Sequence, residues 1–131
     1  MTRQLEIPVA PGELLDKLSI LEIKLDRMTG PGKLANVRRE YELLDGIWQD
    51  AGLETDDIGV LRSELLAVNR RLWEIEDAVR ECEREKDFGN RFIALARSVY
   101  MENDERAAIK KKINLTLGSD IIEEKSYKNY R

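Results

Sequence analysis

Over residues 58–82 the apolar positions Ile58, Leu61, Leu65, Val68, Leu72, Ile75, Val79 and Cys82 recur at alternating steps of three and four, the spacing that lines one face of an α-helix. A helix of about 28 residues around this seam is roughly 42 Å long, more than the diameter of a compact domain of this size. The pattern therefore predicts a spine with other helices laid along it. Arg62, Asn69 and Glu76 fall in a stripe between this seam and an outer ridge holding Leu66 and Trp73. Either the two charged residues reach water along their stems while Asn69 makes a structural hydrogen bond, or Asn69 and Glu76 line a cleft.

On either side of the spine the same test finds more helices. Leu5, Ile7 and Val9 alternate over residues 4–9, predicting a short extended arm that lies over a helix end or pairs with its copy in a second subunit. Pro11 and Gly12 open a first helix with Glu13 in its first turn. Its seam is Leu14, Leu18, Leu21, Leu25 and Met28, with Ile20 and Ile23 as a second ridge, and the TGPG stretch at 29–32 stops it. A helix apolar over so much of its circumference lies inside the bundle or is covered by another subunit. Leu34, Val37, Tyr41, Leu44 and Trp48 predict a second helix over 33–51, weakened at Asp45 and Gly46 and closed by Gly52. Thr55 or Asp56 is the expected N-cap of the spine. After a charge run at 81–87, read as a solvated last turn, a fourth helix carries Phe88, Phe92, Leu95 and Val99, then Ile109, Ile113 and Leu117, and Asn103 is a point where it can divide. Gly118 ends it, and the tail is expected to dock through Ile121, Ile122 and Tyr127. The fold expected is all-α: one domain over 1–131, an antiparallel bundle of four main helices with a short extended N-terminal arm and a short C-terminal tail.

Composition narrows the chemistry. With 42% hydrophobic and 37% charged residues, 8 Gly and 3 Pro, the chain is globular. It has no histidine, which removes a Ser-His-Asp triad and a standard structural zinc site. The single cysteine, Cys82, sits on the core seam with no base to activate it and reads as a buried structural thiol. No leader and no long apolar run is visible, so the expected location is the cytoplasm, with no membrane span, and no cofactor or metal is implied. The net charge of −4 is uneven: residues 91–131 carry +3 and the remainder −7.

The basic excess coincides with a polar stripe. Asn103, Arg106, Lys110 and Asn114 follow one another at helical spacing, with Arg97 before them. Guanidinium and ammonium groups suit phosphate or carboxylate, the former because its planar donors match two oxygens at once. The candidate anion-binding set is thus Arg97, Asn103, Arg106, Lys110 and Asn114, faced by Asn69 and Glu76 across a cleft between the spine and the fourth helix. The plain alternative is a solvated helix face with ordinary ion pairs. KSYKNYR near the C-terminus mixes cations and tyrosines as single-strand binders do, but an acidic protein with so short a segment argues against nucleic acid.

The phrases PGELLDKLSILEIKL at 11–25, KLANVRREYELL at 33–44, LWEIEDAVRECE at 72–83, FIALARSVYMENDERAAIKKKIN at 92–114 and EEKSYKNY at 123–130 resemble a family of small bacterial helical proteins classed as a domain of unknown function. The resemblance implies a bacterial, cytoplasmic helical protein, adds no catalytic residues, and hints at a link to cell-surface polysaccharide or glycosyltransferase proteins. Among functions, a noncatalytic interaction or small-anion-binding module is expected, self-associating as a homodimer through the excess apolar surface. The alternative is a small helical enzyme acting on a phosphorylated or carboxylated metabolite. A chorismate-mutase-like bundle would place Arg and Lys around a dianion. A Mg-dependent nucleotide pyrophosphohydrolase needs clustered carboxylates, for which Glu74 and Asp77 offer one pair.

Overall fold

A computed structural model describes residues 3–131. It contains four helices, α1 (Pro11–Arg27), α2 (Pro31–Ala51), α3 (Asp56–Glu85) and α4 (Asn90–Thr116), and no strand among the described residues. The expected bundle is thus present, and α4 runs unbroken through Asn103. Thr55 caps α3, its Oγ1 accepting from the Ile58 N–H at 3.2 Å. α2 ends at Gly52 in the left-handed conformation.

The helices do not gather around α3. α1 packs against all three others, whereas the backbone of α2 approaches only α1. The reason lies in the apolar coverage of α1: Leu14, Leu15, Leu18, Leu21 and Ile23 are all buried, so it has faces for several neighbours. It occupies the inside of the bundle, one of the two positions its sequence allowed. Leu14, Leu15 and Leu18 meet Trp48 of α2, Ile58, Leu61, Leu65 and Val68 of α3, and Ile109 and Ile113 of α4 in one core. Each such side chain contributes about 1.5–3 kcal/mol on burial. Arg62, from the polar stripe of α3, pairs with Glu54 at 2.7 Å and lies over the Trp48 ring.

α3 and α4 outrun α1. Arg27, the last residue of α1, pairs with Glu74 of α3, and beyond that level only Cys82 is fully buried while Ile75 and Val79 are half-buried. The outer parts of α3 and α4 therefore stand out as a two-helix hairpin. The charge run at its tip is solvated, with Arg84 pairing with Glu81 and Lys86 with Glu83.

At the N-terminal end the arm is extended, and Leu5, Ile7 and Val9 are exposed, so of its two expected positions the one over a helix end is not taken. At the other end an expectation is corrected. The tail does not dock through its apolar residues: Ile121 and Tyr127 are exposed and only Ile122 is half-buried. Gly118, at φ +65° where a side chain would be strained, lets the chain leave α4 and turn back along it. Glu123 then lies beside Lys110 and Tyr130 beside Tyr100.

Candidate functional site

The N-terminus of α1 rests directly on α4. Its N-cap residue is Ala10, which offers no side-chain acceptor, and the need is met from another helix: the Gly12 N–H donates to Asn114 Oδ1 at 2.7 Å. The approach is so close that a Cβ on Gly12 would sit 2.6 Å from the Lys110 carbonyl oxygen. Only glycine fits there.

One turn further along α1 is Asp16, 1% exposed, with the buried Ser19 next to it on the same side. Arg106 binds it side-on, Nε donating to Oδ1 at 2.9 Å and Nη2 donating to Oδ2. Asn69 of α3 donates from Nδ2 to the same Oδ1 at 2.9 Å and to Ser19 Oγ at 2.6 Å, and Ser19 donates to the Asp16 carbonyl at 2.8 Å. Lys110 donates to Glu13 at 2.7 Å and stands 3.6 Å from Asp16 Oδ2. Among the described residues no buried side-chain polar atom lacks a partner.

Burial pushes the Asp16 carboxyl up, but the hydrogen bonds from Arg106 and Asn69 and the charges of Arg106 and Lys110 outweigh it and hold the group below its ordinary value. The hydrogen bond to Asp16 pushes Arg106 up against the cost of its burial. Burial lowers Lys110, and Glu13, Asp16 and Glu123 together raise it above the usual lysine value. All three groups are charged at neutral pH, and Asp16 is the anchor of the set, with no proton to exchange.

The cations open onto a cavity of about 530 Å³, lined by Asn103, Arg106, Lys110, Lys111 and Asn114 of α4, Ala10 and Glu13 from the start of α1, and Glu123, Glu124 and Lys125 of the tail. Side-on binding to Asp16 leaves the end of the Arg106 guanidinium with donors to spare. One of them reaches Asn103 Oδ1 at 3.4 Å. Glu123 stands 3.6 Å from Lys110, and Glu124 3.5 Å from Lys111. Among the described residues no group of three or more His, Cys, Asp or Glu side chains is placed to hold a metal.

Of the seven residues singled out from the sequence, four meet at this cavity: Asn103, Arg106, Lys110 and Asn114. Asn69 lies behind it, buried and reaching it only through Asp16. Glu76 and Arg97 are not brought to it. Glu76 is one heptad beyond Asn69, roughly 10 Å along α3, where α1 no longer covers the helix; it is exposed and pairs with Arg80 at 2.6 Å. Arg97 is nine residues before Arg106, about 13 Å along α4, and is exposed on the hairpin. The wall facing α4 is thus α1 and the tail, in place of the spine. Glu74, half of the carboxylate pair considered for metal binding, is engaged by Arg27.

The residues missed were Gly12, Asp16 and Ser19. Their signal is a small-and-polar stripe at steps of four and three on a helix whose other buried positions are leucine and isoleucine, matching the stripe Asn103, Arg106, Lys110 and Asn114.

No helix among the described residues is long and apolar enough to cross a membrane. No curated protein and no solved structure matches this sequence. A family model does, over residues 4–130, and by that match the chain belongs to a family of unknown function, DUF6165.

Proposed function

We propose that the protein is a noncatalytic binding module that holds a small acidic group, phosphate or carboxylate, in the cavity between the start of α1 and the C-terminal half of α4. One observation carries this reading: the cations are fixed from behind and loosely held in front. Asp16 binds Arg106 from the protein side, and Glu13, on the α1 wall of the cavity, binds Lys110 at 2.7 Å. The carboxylates on the open side, Glu123 and Glu124, are exposed and stand at 3.6 and 3.5 Å. An anion that approaches displaces the tail carboxylates, while Asp16 and Glu13 keep the cations in place, so it meets donors whose positions are already set and little ordering is lost on binding. Asp16, held ionised by its partners, serves to position Arg106.

Calorimetric titration of inorganic phosphate at constant ionic strength tests the reading. Saturable binding that is lost in Lys110→Met and Lys111→Met is expected. No heat beyond that of chloride at the same ionic strength refutes it.

A second reading concerns self-association and rests on the projecting hairpin. Residues 74–85 of α3 carry six carboxylates against two arginines, while residues 90–101 of α4 carry Arg91 and Arg97 and no carboxylate. Phe88, Ile93 and Met101 are exposed on the same hairpin. A two-fold pairing of hairpins sets the acidic helix of one copy against the basic helix of the other and covers these side chains, completing a four-helix arrangement. Sedimentation at micromolar concentration is expected to give a dimer that Ile93→Glu dissociates; a monomeric wild-type chain sinks this reading.

A further inference from the structure

A second cavity, of about 870 Å³, adjoins the first and shares Asn103 and Lys125 with it. It lies between α4 and the returning tail, and Tyr100, Tyr127 and Tyr130 line it together with Asp104. The two cavities occupy one continuous face of α4. Tyr100, Asn103, Ala107, Lys110 and Asn114 succeed one another on that face at helical steps, and Arg106 is about 9 Å along the axis from Tyr100. One end of the trough is therefore cationic and the other aromatic.

Tyr127 is 78% exposed, and Tyr100 and Tyr130 are 42% and 44% exposed although their rings meet edge-on at 4.9 Å. They bury little of one another, and Lys125 stands over one face of Tyr127 at 5.8 Å and Arg131 over one face of Tyr130 at 5.4 Å, so each of these rings has its other face for a ligand and a cation behind it. Flat faces beside a basic trough match a ligand that has both a flat ring and an anionic group, because stacking needs no particular hydrogen-bond pattern while phosphate takes charged donors. Asn103 and Asp104, at the junction, supply groups for hydroxyls between the two ends.

We propose, building on the anion-site reading above, that the trough takes a mononucleotide, with the phosphate on Arg106, Lys110 and Lys111 and the base against the tyrosines. Glu123 leaves Lys110 as the phosphate arrives, so the tail closes over the base end while its carboxylate yields at the other.

Titration of the full chain with inorganic phosphate, ribose 5-phosphate, UMP and AMP separates the contributions. The nucleotides are expected to bind at least tenfold more tightly than ribose 5-phosphate. Tyr100→Ala and Tyr127→Ala, both at exposed positions, are expected to remove about tenfold of the nucleotide affinity and to leave phosphate binding unchanged. Saturation transfer from the protein to the base protons is expected in the wild-type chain and lost in these variants. Equal affinity for phosphate, sugar phosphate and nucleotide overturns the nucleotide assignment and leaves the anion site standing. Ribose 5-phosphate binding as tightly as UMP, but more tightly than phosphate, makes this a sugar-phosphate site and overturns the stacking role. Binding of none of the four overturns both readings.

Discussion

Removing either member of the Asp16–Arg106 pair leaves a charge behind, and the two charges are not left in the same place. Asp16 is 1% exposed, whereas the Arg106 side chain is 29% exposed. Arg106→Met therefore strands a carboxylate in the interior, with Asn69 at hydrogen-bond distance and Lys110 at 3.6 Å as its remaining support. Breaking a buried pair in this way costs about 3–5 kcal/mol. Asp16→Asn keeps the shape and one acceptor oxygen and leaves a guanidinium that can turn to water, so its cost is about 1–3 kcal/mol, set by the loss of charge-assisted hydrogen bonds. The double variant Asp16→Leu/Arg106→Met removes both charges and replaces them with apolar atoms, and it is expected to be more stable than Arg106→Met alone. For a chain of 131 residues, a loss of 4 kcal/mol lowers the melting temperature by about 10–15 °C. Urea unfolding followed by circular dichroism measures all three. An Arg106→Met cost below about 1 kcal/mol, or one smaller than that of Asp16→Asn, would show that water screens the pair and refute the argument from unequal burial.

Further expectations follow from the same contacts. Gly12→Ala would drive a Cβ against the Lys110 carbonyl and is expected to cost about 1–3 kcal/mol, the cost of overpacking, in the same urea assay, whereas Gly32→Ala, with open space around it, is not. The folded-state value of Asp16 is lowered, so its contribution is present above the unfolded carboxyl value of about 3.9 and lost as pH falls through the folded value. Lys110 is raised, so its contribution is present below about 10.4 and lost as pH rises through its folded value. Melting temperatures across pH are thus expected to stay level between about 5 and 9, with the acid limb shallower in Asp16→Asn. Glu123→Gln removes the tail carboxylate nearest Lys110 and is expected to tighten phosphate binding severalfold in titration; a weakening would mean that the tail helps to form the site.

The helical architecture was legible because burial imposes a period on apolar residues, and Leu14, Leu18, Ile58, Leu65 and Ile113 announce their faces by position alone. Which helix sits at the centre was less legible. α3 is the longest, and its seam is the most regular, but the outer part of that seam lies beyond α1, where Ile75 and Val79 are only half-buried. Length and periodicity report the ability to pack along one stripe. The hub is instead the short α1, marked by apolar residues on several faces. Half of the polar site was read from α4, where cations at helical spacing stand out. The other half, Gly12, Asp16 and Ser19, was not, because a lone carboxylate among leucines resembles a solvated position until a partner helix is laid against it. The tail was misread for a related reason: Ile121 and Tyr127 suggest docking, but nothing in their spacing shows that the tail is drawn back along α4 by Lys110, Lys111 and Tyr100.

The polar ladder between α1 and α4 also fixes how the two helices line up. Apolar seams alone tolerate a slip of one turn, since leucine and isoleucine recur on both sides of it. The charges do not. Moving α4 by four residues in one direction sets Asp16 opposite Glu102 in place of Arg106, and like charges at a buried position are strongly unfavourable. Moving it in the other sets Glu13 opposite Asn114 in place of Lys110 and takes Asn114 away from the uncapped Gly12 N–H. Of these three registers only the observed one satisfies every buried group, and a polar residue that specifies register is the best-attested use of such pairs. That register sets Lys110 and Lys111 where the tail, turning back at Gly118, passes over them. The stripe that aligns the helices and the stripe that forms the cavity are therefore the same residues, with Asp16 and Glu13 taking one side of each cation and leaving the other side toward the cavity.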